Sequence, residues 1–335
     1  MRLASLLAAC AAAAPLFPLD ARYARAAPGQ LQREELAQTT PQVPFSNFSA
    51  AYVAKALKTP TNWTKLGAVT PVKDQGEHGY CGTFGRVGSA EGQWALRGPA
   101  AGKATSFAEE ALIDCVGWDK DQYAFFSPRG FMTSAAYPYN TTGPDMDPPI
   151  PYNPCRFEPA EAVPGTPGFF TFATGRAPSE DQLAAFIHHN GPVSAGINAD
   201  VFALREHGCD ARGDCFVNAT SCAAVAQEID HSITLVGYGT DAVRGDYWLI
   251  KNSWSARWAN QGYISVARGV GCAGMCGDTS SECRPAHAHA YALACCRRSP
   301  ARYAHRPAPP TTTHTHTAAV CGNVFGHGAP SSYYE

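Results

Sequence analysis

Three short segments carry residue types that could together perform nucleophilic chemistry. The first runs Gly67-Ala-Val-Thr-Pro-Val-Lys-Asp-Gln75-Gly-Glu-His78-Gly-Tyr-Cys81-Gly82-Thr-Phe-Gly and continues to Glu91-Gly-Gln-Trp94-Ala95-Leu96. Gly76 and Gly79 predict a turn. After it, Phe84, Val87, Gly88, Trp94 and Ala95 recur at helical spacing. Cys81 is therefore expected to open a helix with a buried face. The free N–H groups and the positive end of the dipole there favour thiolate over thiol, and a thiolate is the nucleophile of acyl transfer. Gln75, six residues earlier, can direct its amide at an oxyanion beside the Cys81 N–H. Taken alone, a cysteine that opens a helix is more often packed or disulfide-bonded.

The second and third segments change that balance. Glu228-Ile-Asp230-His231-Ser-Ile-Thr-Leu-Val-Gly-Tyr-Gly239 reads as a strand carrying a histidine, and Tyr247-Trp-Leu-Ile-Lys-Asn252-Ser-Trp254 reads as its neighbour. A side-chain amide on one strand can orient an imidazole on the next. The imidazole can then hold a thiolate as an ion pair and later protonate a leaving amine. Trp254 is placed to shield the His–Asn hydrogen bond from water. A lone histidine is usually a satisfied core residue; three such segments in this order argue otherwise.

The elements that must position these residues divide the chain. Helical signals dominate the first half from Trp63, strands the second, with Pro/Gly-rich interruptions at 143–168 between them. Leu249-Ile250 and Ile264 to Val266 are predicted as short strands. Thr59-Pro60-Thr61 ends a mildly amphipathic stretch at residues 28–58. The chain has 335 residues, 45% of them hydrophobic and 16% charged, which excludes disorder as its main state. The net charge of −2 gives no field for nucleic acid or an anionic membrane, and no apolar run reaches the roughly 18 residues that span a bilayer. Thirteen cysteines point to an oxidising compartment. Met1-Arg2, the apolar stretch from Leu3 to Phe17 and small residues at 21–27 predict a signal peptide over residues 1–27. Sequons at Asn47, Asn62, Asn140 and Asn218 suit a secretory route and a glycoprotein. Residues 298–335, rich in Pro, Thr, His and Ala, read as a low-complexity, disordered tail; a metal-binding role for its alternating His314 and His316 is the weaker reading.

At these motifs the chain resembles the papain-like cysteine proteases of the cathepsin L type. The likeness covers roughly Trp63 to Ala290, and the intervals of 150 residues from Cys81 to His231 and 21 from His231 to Asn252 suit it. It implies an α+β fold of two lobes, helical over about 59–165 and β-barrel-like over about 166–297, with a substrate cleft between them. It implies Cys81 as nucleophile, His231 as general acid/base, Asn252 as the orienter of His231 and Gln75 as oxyanion donor. Gly196 and Ser281 would line a pocket for substrate, with Asp230 and Trp254 also at the substrate-binding site. Disulfides Cys115–Cys155 and Cys222–Cys276 are implied at family positions, and Cys209 and Cys215 could close a further loop. Cys272, Cys283, Cys295, Cys296 and Cys321 have no assigned partners; zinc at Cys272, Cys276 and Cys283 is possible, but disulfides suit the compartment better.

The chain also departs from the family pattern. Gly82 stands where the family has Trp. His78 stands where it has a disulfide cysteine, and the Cys-Asn-Gly-Gly segment holding that partner is absent after Cys115. His78 is expected on a surface loop. The Gly-Gly pair would have offered backbone to the bound peptide as an edge strand. Residues 28–58 form a propeptide-like segment too short for the family's inhibitory helices.

The expected activity is endopeptidase hydrolysis through an acyl-enzyme on Cys81, with no metal or organic cofactor. The partners would be peptide or protein substrates and cystatin-like inhibitors, with no nucleic acid and no membrane, for a monomer in the secretory pathway, extracellular or in a lysosome or vacuole. The alternatives are a catalytically weak papain-like module that binds peptides or proteins, and a transpeptidase using the same acyl-enzyme.

Overall fold

In the computed structural model, the helical and alternating patterns resolve into six α-helices and nine strands among the described residues: 42–44, 48–97, 103–117, 122–140, 153–163, 169–173, 179–203, 215–224, 230–270 and 325–327. In chain order these are β1 (Gln42–Pro44), α1 (Ala50–Leu57), β2 (Thr61–Asn62), α2 (Cys81–Arg97), α3 (Glu109–Val116) and α4 (Gln122–Arg129), followed by β3 (Phe169–Ala173), α5 (Glu180–Asn190) and β4 (Val193–Ile197). A 3-10 turn at Ala199–Ala203 leads to β5 (Phe216–Val217), α6 (Ala219–Ala224), β6 (His231–Asp241), β7 (Gly245–Lys251), β8 (Tyr263–Ala267) and β9 (Phe325–His327). The signal peptide, Ser281, Cys209 and Cys276 lie outside these residues, as do Cys272, Cys283, Cys295, Cys296, Cys321, His314 and His316.

Two hydrophobic cores correspond to the two expected lobes. Val87, Trp94, Phe107, Phe126 and Phe131 fill the helical one, where the Phe107 and Phe131 rings stack at 4.7 Å. Cys115 and Cys155 close a disulfide there, as expected. The second core gathers Phe186, Ile197, Ile233, Leu235, Trp248, Ile250 and Val266 between α5 and the sheet. The strand order is β1-β3-β9-β4-β6-β7-β8-β5, with β2 on β6, and β6, β7 and β8 form an antiparallel meander. The first nine residues of β6 are all buried. Such a strand reads as an apolar run because neither face meets water. Cys215 and Cys222 are each disulfide-bonded, and the partners expected for them, Cys209 and Cys276, lie outside the described residues.

α2 separates the cores. Val87, Ala90 and Trp94 face the helical one. On its other face, an added Cβ at Gly85 would stand 2.5 Å from Ser232 Oγ and 2.7 Å from Ser194 Oγ, at Gly88 2.4 Å from Thr234 Oγ1, and at Gly92 2.6 Å from Pro192 Cγ. These glycines, at helical spacing with Cys81, let the helix axis approach the sheet where any side chain would hold it off.

Two findings differ from the expectations for the chain's ends. Residues 48–57, within the expected propeptide-like segment, are fixed to the β lobe. Gln182 takes the Phe48 N–H on Oε1 (2.9 Å) and donates Nε2 to the Phe48 carbonyl (3.1 Å), while the Tyr238 hydroxyl donates to Ala56 O (2.8 Å). Phe325–His327, within the tail expected to be disordered, pairs as β9 with β3 and with Ser194 of β4. β3 and β4 do not pair with each other, so their facing backbone groups need a third strand. Among the described residues, no helix is long and apolar enough to cross a membrane.

Candidate active site

Cys81 is the first residue of α2, wholly buried, and takes part in no disulfide. Its place relative to β6 follows from the glycine contacts. Gly88 meets Thr234 and Gly85 meets Ser232. Cys81 lies one helical turn further toward the N-terminus of α2, on the side where β6 begins at His231, which is also wholly buried. Gly85→Val should therefore push the helix from the strand at the turn next to the nucleophile. Were Cys81 the nucleophile that the sequence leads one to expect, kcat for a peptide substrate would fall by about 100-fold with helical circular dichroism retained; unchanged kcat would mean the approach at Gly85 does not set the alignment.

His231 and Asn252 are brought together by the β6–β7 pairing, in which Thr234 lies opposite Lys251. The His231 Nε2 to Asn252 Oδ1 distance is 2.8 Å, and Oδ1 also accepts the Ser253 N–H at 2.8 Å. An oxygen taking a backbone N–H must be the carboxamide oxygen, so Nε2 carries the proton and Nδ1 is the basic nitrogen of the neutral ring. Trp254, itself buried, lies with its ring 4.7 Å from the imidazole, and Phe202 and Trp258 pack edge-on against Trp254 at 5.7 and 5.4 Å. Trp254 therefore packs beside the His231 ring that bonds Asn252, with Phe202 and Trp258 behind it as neighbours that no local motif signalled.

Gln75 is buried and held on both sides. Residues 73–75 bridge the 253–255 segment, with Gln75 N–H donating to Ser253 O (2.8 Å) and Ser255 N–H to Lys73 O (3.0 Å). Its Oε1 accepts from Ser253 Oγ (2.6 Å), its Nε2 donates to His78 O (2.9 Å), and its carbonyl accepts the Tyr139 hydroxyl (2.9 Å). Ser253 and the His78 carbonyl thus orient the side-chain amide, while Tyr139 pins the backbone that carries it. Ser253 stands inside the Asn252-Ser-Trp254 motif, where sequence gave it no role, and no motif signalled Tyr139.

The other expected residues are placed less directly. Gly196 is paired opposite Ser232 on β4, beside the start of β6. Asp230 turns its carboxylate to the Ala199 N–H (2.7 Å), which caps the 3-10 turn that carries Phe202. Ser281 lies outside the described residues. His78 corrects an expectation: it is not on the surface but only 4% exposed. The turn that carries it folds inward because Gln75 and Tyr80 are both core residues.

Beneath the site lies a charged cluster that sequence periodicity did not reveal. Lys73 Nζ donates to Glu91 Oε1 (2.6 Å), Glu109 Oε1 (2.7 Å) and Phe107 O (2.7 Å), while Lys251 Nζ donates to Thr70 Oγ1 (2.9 Å), which in turn donates to Glu91. Burial pushes Glu109 up to about 7 despite Lys73, and burial brings Lys251 down to about 8. Burial would raise Glu91 as well, but Lys73 and Lys251 hold it below the usual carboxylate range. These groups line a small cavity of 20 Å³ that reaches Asn252 and Ser253, enough for a water molecule. Among the described residues, no group of three His, Cys, Asp or Glu is placed to hold a metal ion.

The arrangement has counterparts in known proteins. Residues 57–286 match the family described as papain family cysteine protease. A cathepsin L-like peptidase of Aedes aegypti is 34% identical over 63% of this chain and 59% of its own length. Digestive cysteine proteinase 2 of Homarus americanus is 33% identical over 63% of this chain and 61% of its own. The chain thus spans about three fifths of these curated relatives. Among solved structures, digestive procathepsin L 3 of Tenebrio molitor larval midgut superposes with a TM-score of 0.55 at 26% identity, over 76% of this chain and 80% of that one.

Proposed function

Since the chain belongs to the papain family of cysteine proteases, we propose that it is an endopeptidase that cleaves peptide bonds through an acyl-enzyme on Cys81. The observation that carries this reading is the His231–Asn252 hydrogen bond of 2.8 Å at the strand end facing the helix that Cys81 opens. In the first half-reaction the Cys81 thiolate adds to the scissile carbonyl. The developing oxyanion takes the Cys81 N–H and an amide proton of Gln75; a side-chain amide carries two, and His78 O holds the other. The C–N bond then breaks as the imidazolium gives its proton to the leaving amine. In the second half-reaction His231 takes a proton from water, which displaces the thiolate and releases the acid. Asn252 keeps the ring aligned through both.

Gly196, Asp230 and Trp254 support the cleft rather than the chemistry, and Ser281 is assigned to a substrate pocket by family position alone. Substrates would be peptides or proteins, and cystatin-like inhibitors would compete for the same cleft. The relatives that are cathepsin L-like or digestive enzymes support action along the secretory route, outside the cell or in a lysosome or vacuole.

An epoxide-type peptidyl probe tests the reading. We expect one equivalent bound by intact mass, absent in Cys81→Ala, together with turnover of peptides at internal bonds. A folded protein that no probe labels between pH 4 and 7, including a small haloacetamide, would exclude an activated thiolate. Ligation to an added amine in place of hydrolysis would assign it as a transpeptidase.

A further inference from the structure

Both main-chain groups of Gln75 are held by residues far along the chain. Its N–H donates to Ser253 O (2.8 Å), and its carbonyl accepts the Tyr139 hydroxyl (2.9 Å). Only two soft dihedrals lie between those groups, so holding both sets the direction in which the side chain leaves the backbone. The first clamp comes from the segment that follows β7. The second is a single side chain, carried on a connection between α4 and β3.

That connection is strapped to α3 on both sides of Tyr139. The Tyr137 hydroxyl donates to Asp114 Oδ2 (2.8 Å), and the Asn140 N–H donates to Glu110 Oε2 (3.1 Å). The Tyr139 ring stands edge-on to Phe84 with centroids 5.0 Å apart at 88°, and Tyr80 and Ile113 complete the same apolar cluster. Phe84 lies in the first turn of α2, the turn that Cys81 opens. One side chain thus touches both parts of the site, with its hydroxyl on the segment that carries the amide and its ring on the turn that carries the thiol. Burial, reinforced by Glu110 and Tyr80, raises the phenol well above the ordinary tyrosine range, so it stays protonated and remains a donor.

An oxyanion donor is effective only within about 2.7–3.1 Å of the developing charge, and an error of about 1 Å can cost about 100-fold. A group that fixes the donor relative to the nucleophile therefore acts on the transition state more than on the bound substrate, whose carbonyl is still neutral. We infer that Tyr139 is a positioning residue, which sets the Gln75 amide at the distance from Cys81 that the oxyanion needs. The assignment rests on the proteolytic reading above. It also separates two reactions of the same thiol. Addition to a peptidyl aldehyde forms the S–C bond as the carbonyl oxygen takes a proton, leaving that oxygen where the oxyanion would sit. Alkylation by a haloacetamide forms an S–C bond as halide leaves a saturated carbon, and no oxyanion develops.

Tyr139→Phe keeps the ring on Phe84 and removes the hydroxyl. In this variant kcat on peptides should fall about 10-fold with KM within about twofold, and a peptidyl aldehyde should bind about 10-fold more weakly. Alkylation of Cys81 by a small haloacetamide should keep its wild-type rate. The loss should vanish in a Gln75→Ala background, since a residue that acts through the amide then has nothing to position. Wild-type kcat and aldehyde affinity in Tyr139→Phe would overturn the assignment. So would alkylation falling together with turnover, or losses at positions 75 and 139 that simply add. A wild-type protein that alkylates but neither hydrolyses peptides nor takes the aldehyde would sink the proteolytic reading, and this assignment with it.

Discussion

His231→Ala should lower kcat for peptide hydrolysis by about 10⁴- to 10⁶-fold, with little change in KM. The size of the effect follows from the ring's three duties. On the proposed mechanism it stabilises the thiolate as an ion pair, protonates the leaving amine and then activates water, so one substitution removes all three. The Nε2–Asn252 hydrogen bond (2.8 Å) commits that nitrogen and leaves the proton transfers to Nδ1. Alkylation separates the duties. On that mechanism, a small haloacetamide should react with wild-type Cys81 down to mildly acidic pH, because an imidazolium partner would keep the sulfur ionised. In the variant the rate should fall with pH as for an ordinary thiol, near a pKa of about 8.5. Asn252→Ala should show the same change in weaker form, since the ring stays but loses its alignment. Turnover by His231→Ala within tenfold of wild type would show that some other group moves the proton.

Local pattern made the catalytic elements legible because each lies within one continuous segment. The helical spacing after Cys81 became α2, the apolar run after His231 became β6, and Tyr247 to Lys251 became β7 beside it. What could not be read were contacts between segments far apart in sequence. Ser253 orients Gln75 across 178 residues and Tyr139 holds it across 64, and no periodicity encodes either. His78 was misjudged for a related reason. Glycines on both sides of a polar residue suggest a surface turn, but Gln75 and Tyr80 draw this one into the interior. The glycines at 85, 88 and 92 are informative only once the sheet across from them is known. β9 was missed because a three-residue strand has too short a pattern to be seen, and its pairing is decided by open backbone groups on β3 and β4.

The charged cluster under the site gives the largest expected effect on stability. Glu91 on α2 and Glu109 on α3 are buried with Lys73 between them, and Lys251 lies 3.9 Å from Glu91 beyond Thr70. Lys73→Met would leave two buried carboxylates facing each other, and removing one partner from such a group costs about 3–5 kcal/mol. Denaturant unfolding at pH 7 should show that loss. The penalty should shrink toward pH 4, where both carboxyls can take protons and no longer need the ammonium. The wild type carries a related dependence through Glu109. Burial raises its folded pKa to about 7, above the ordinary carboxylate value, so between about 4.5 and 7 the folded chain keeps a proton that the unfolded chain has released. Its contribution to stability is therefore full below about 4.5 and is lost as pH rises toward 7. Glu91 works in the opposite sense: held low by the two lysines against its burial, it stabilises above the ordinary carboxylate range and loses that contribution as pH falls. Glu109→Gln, which keeps an oxygen for Lys73 and cannot titrate, isolates the first effect. The wild-type Tm should decline from pH 5 to 7.5 more steeply than that of the variant, by an amount corresponding to about 1–3 kcal/mol. Identical slopes would assign the dependence to other groups. The same slope in both with a large uniform drop in Tm would make Glu109 a packing residue. If the steeper wild-type slope is found, Glu109 is the group in this cluster that the fold keeps protonated below about pH 7, with Lys73 left to Glu91.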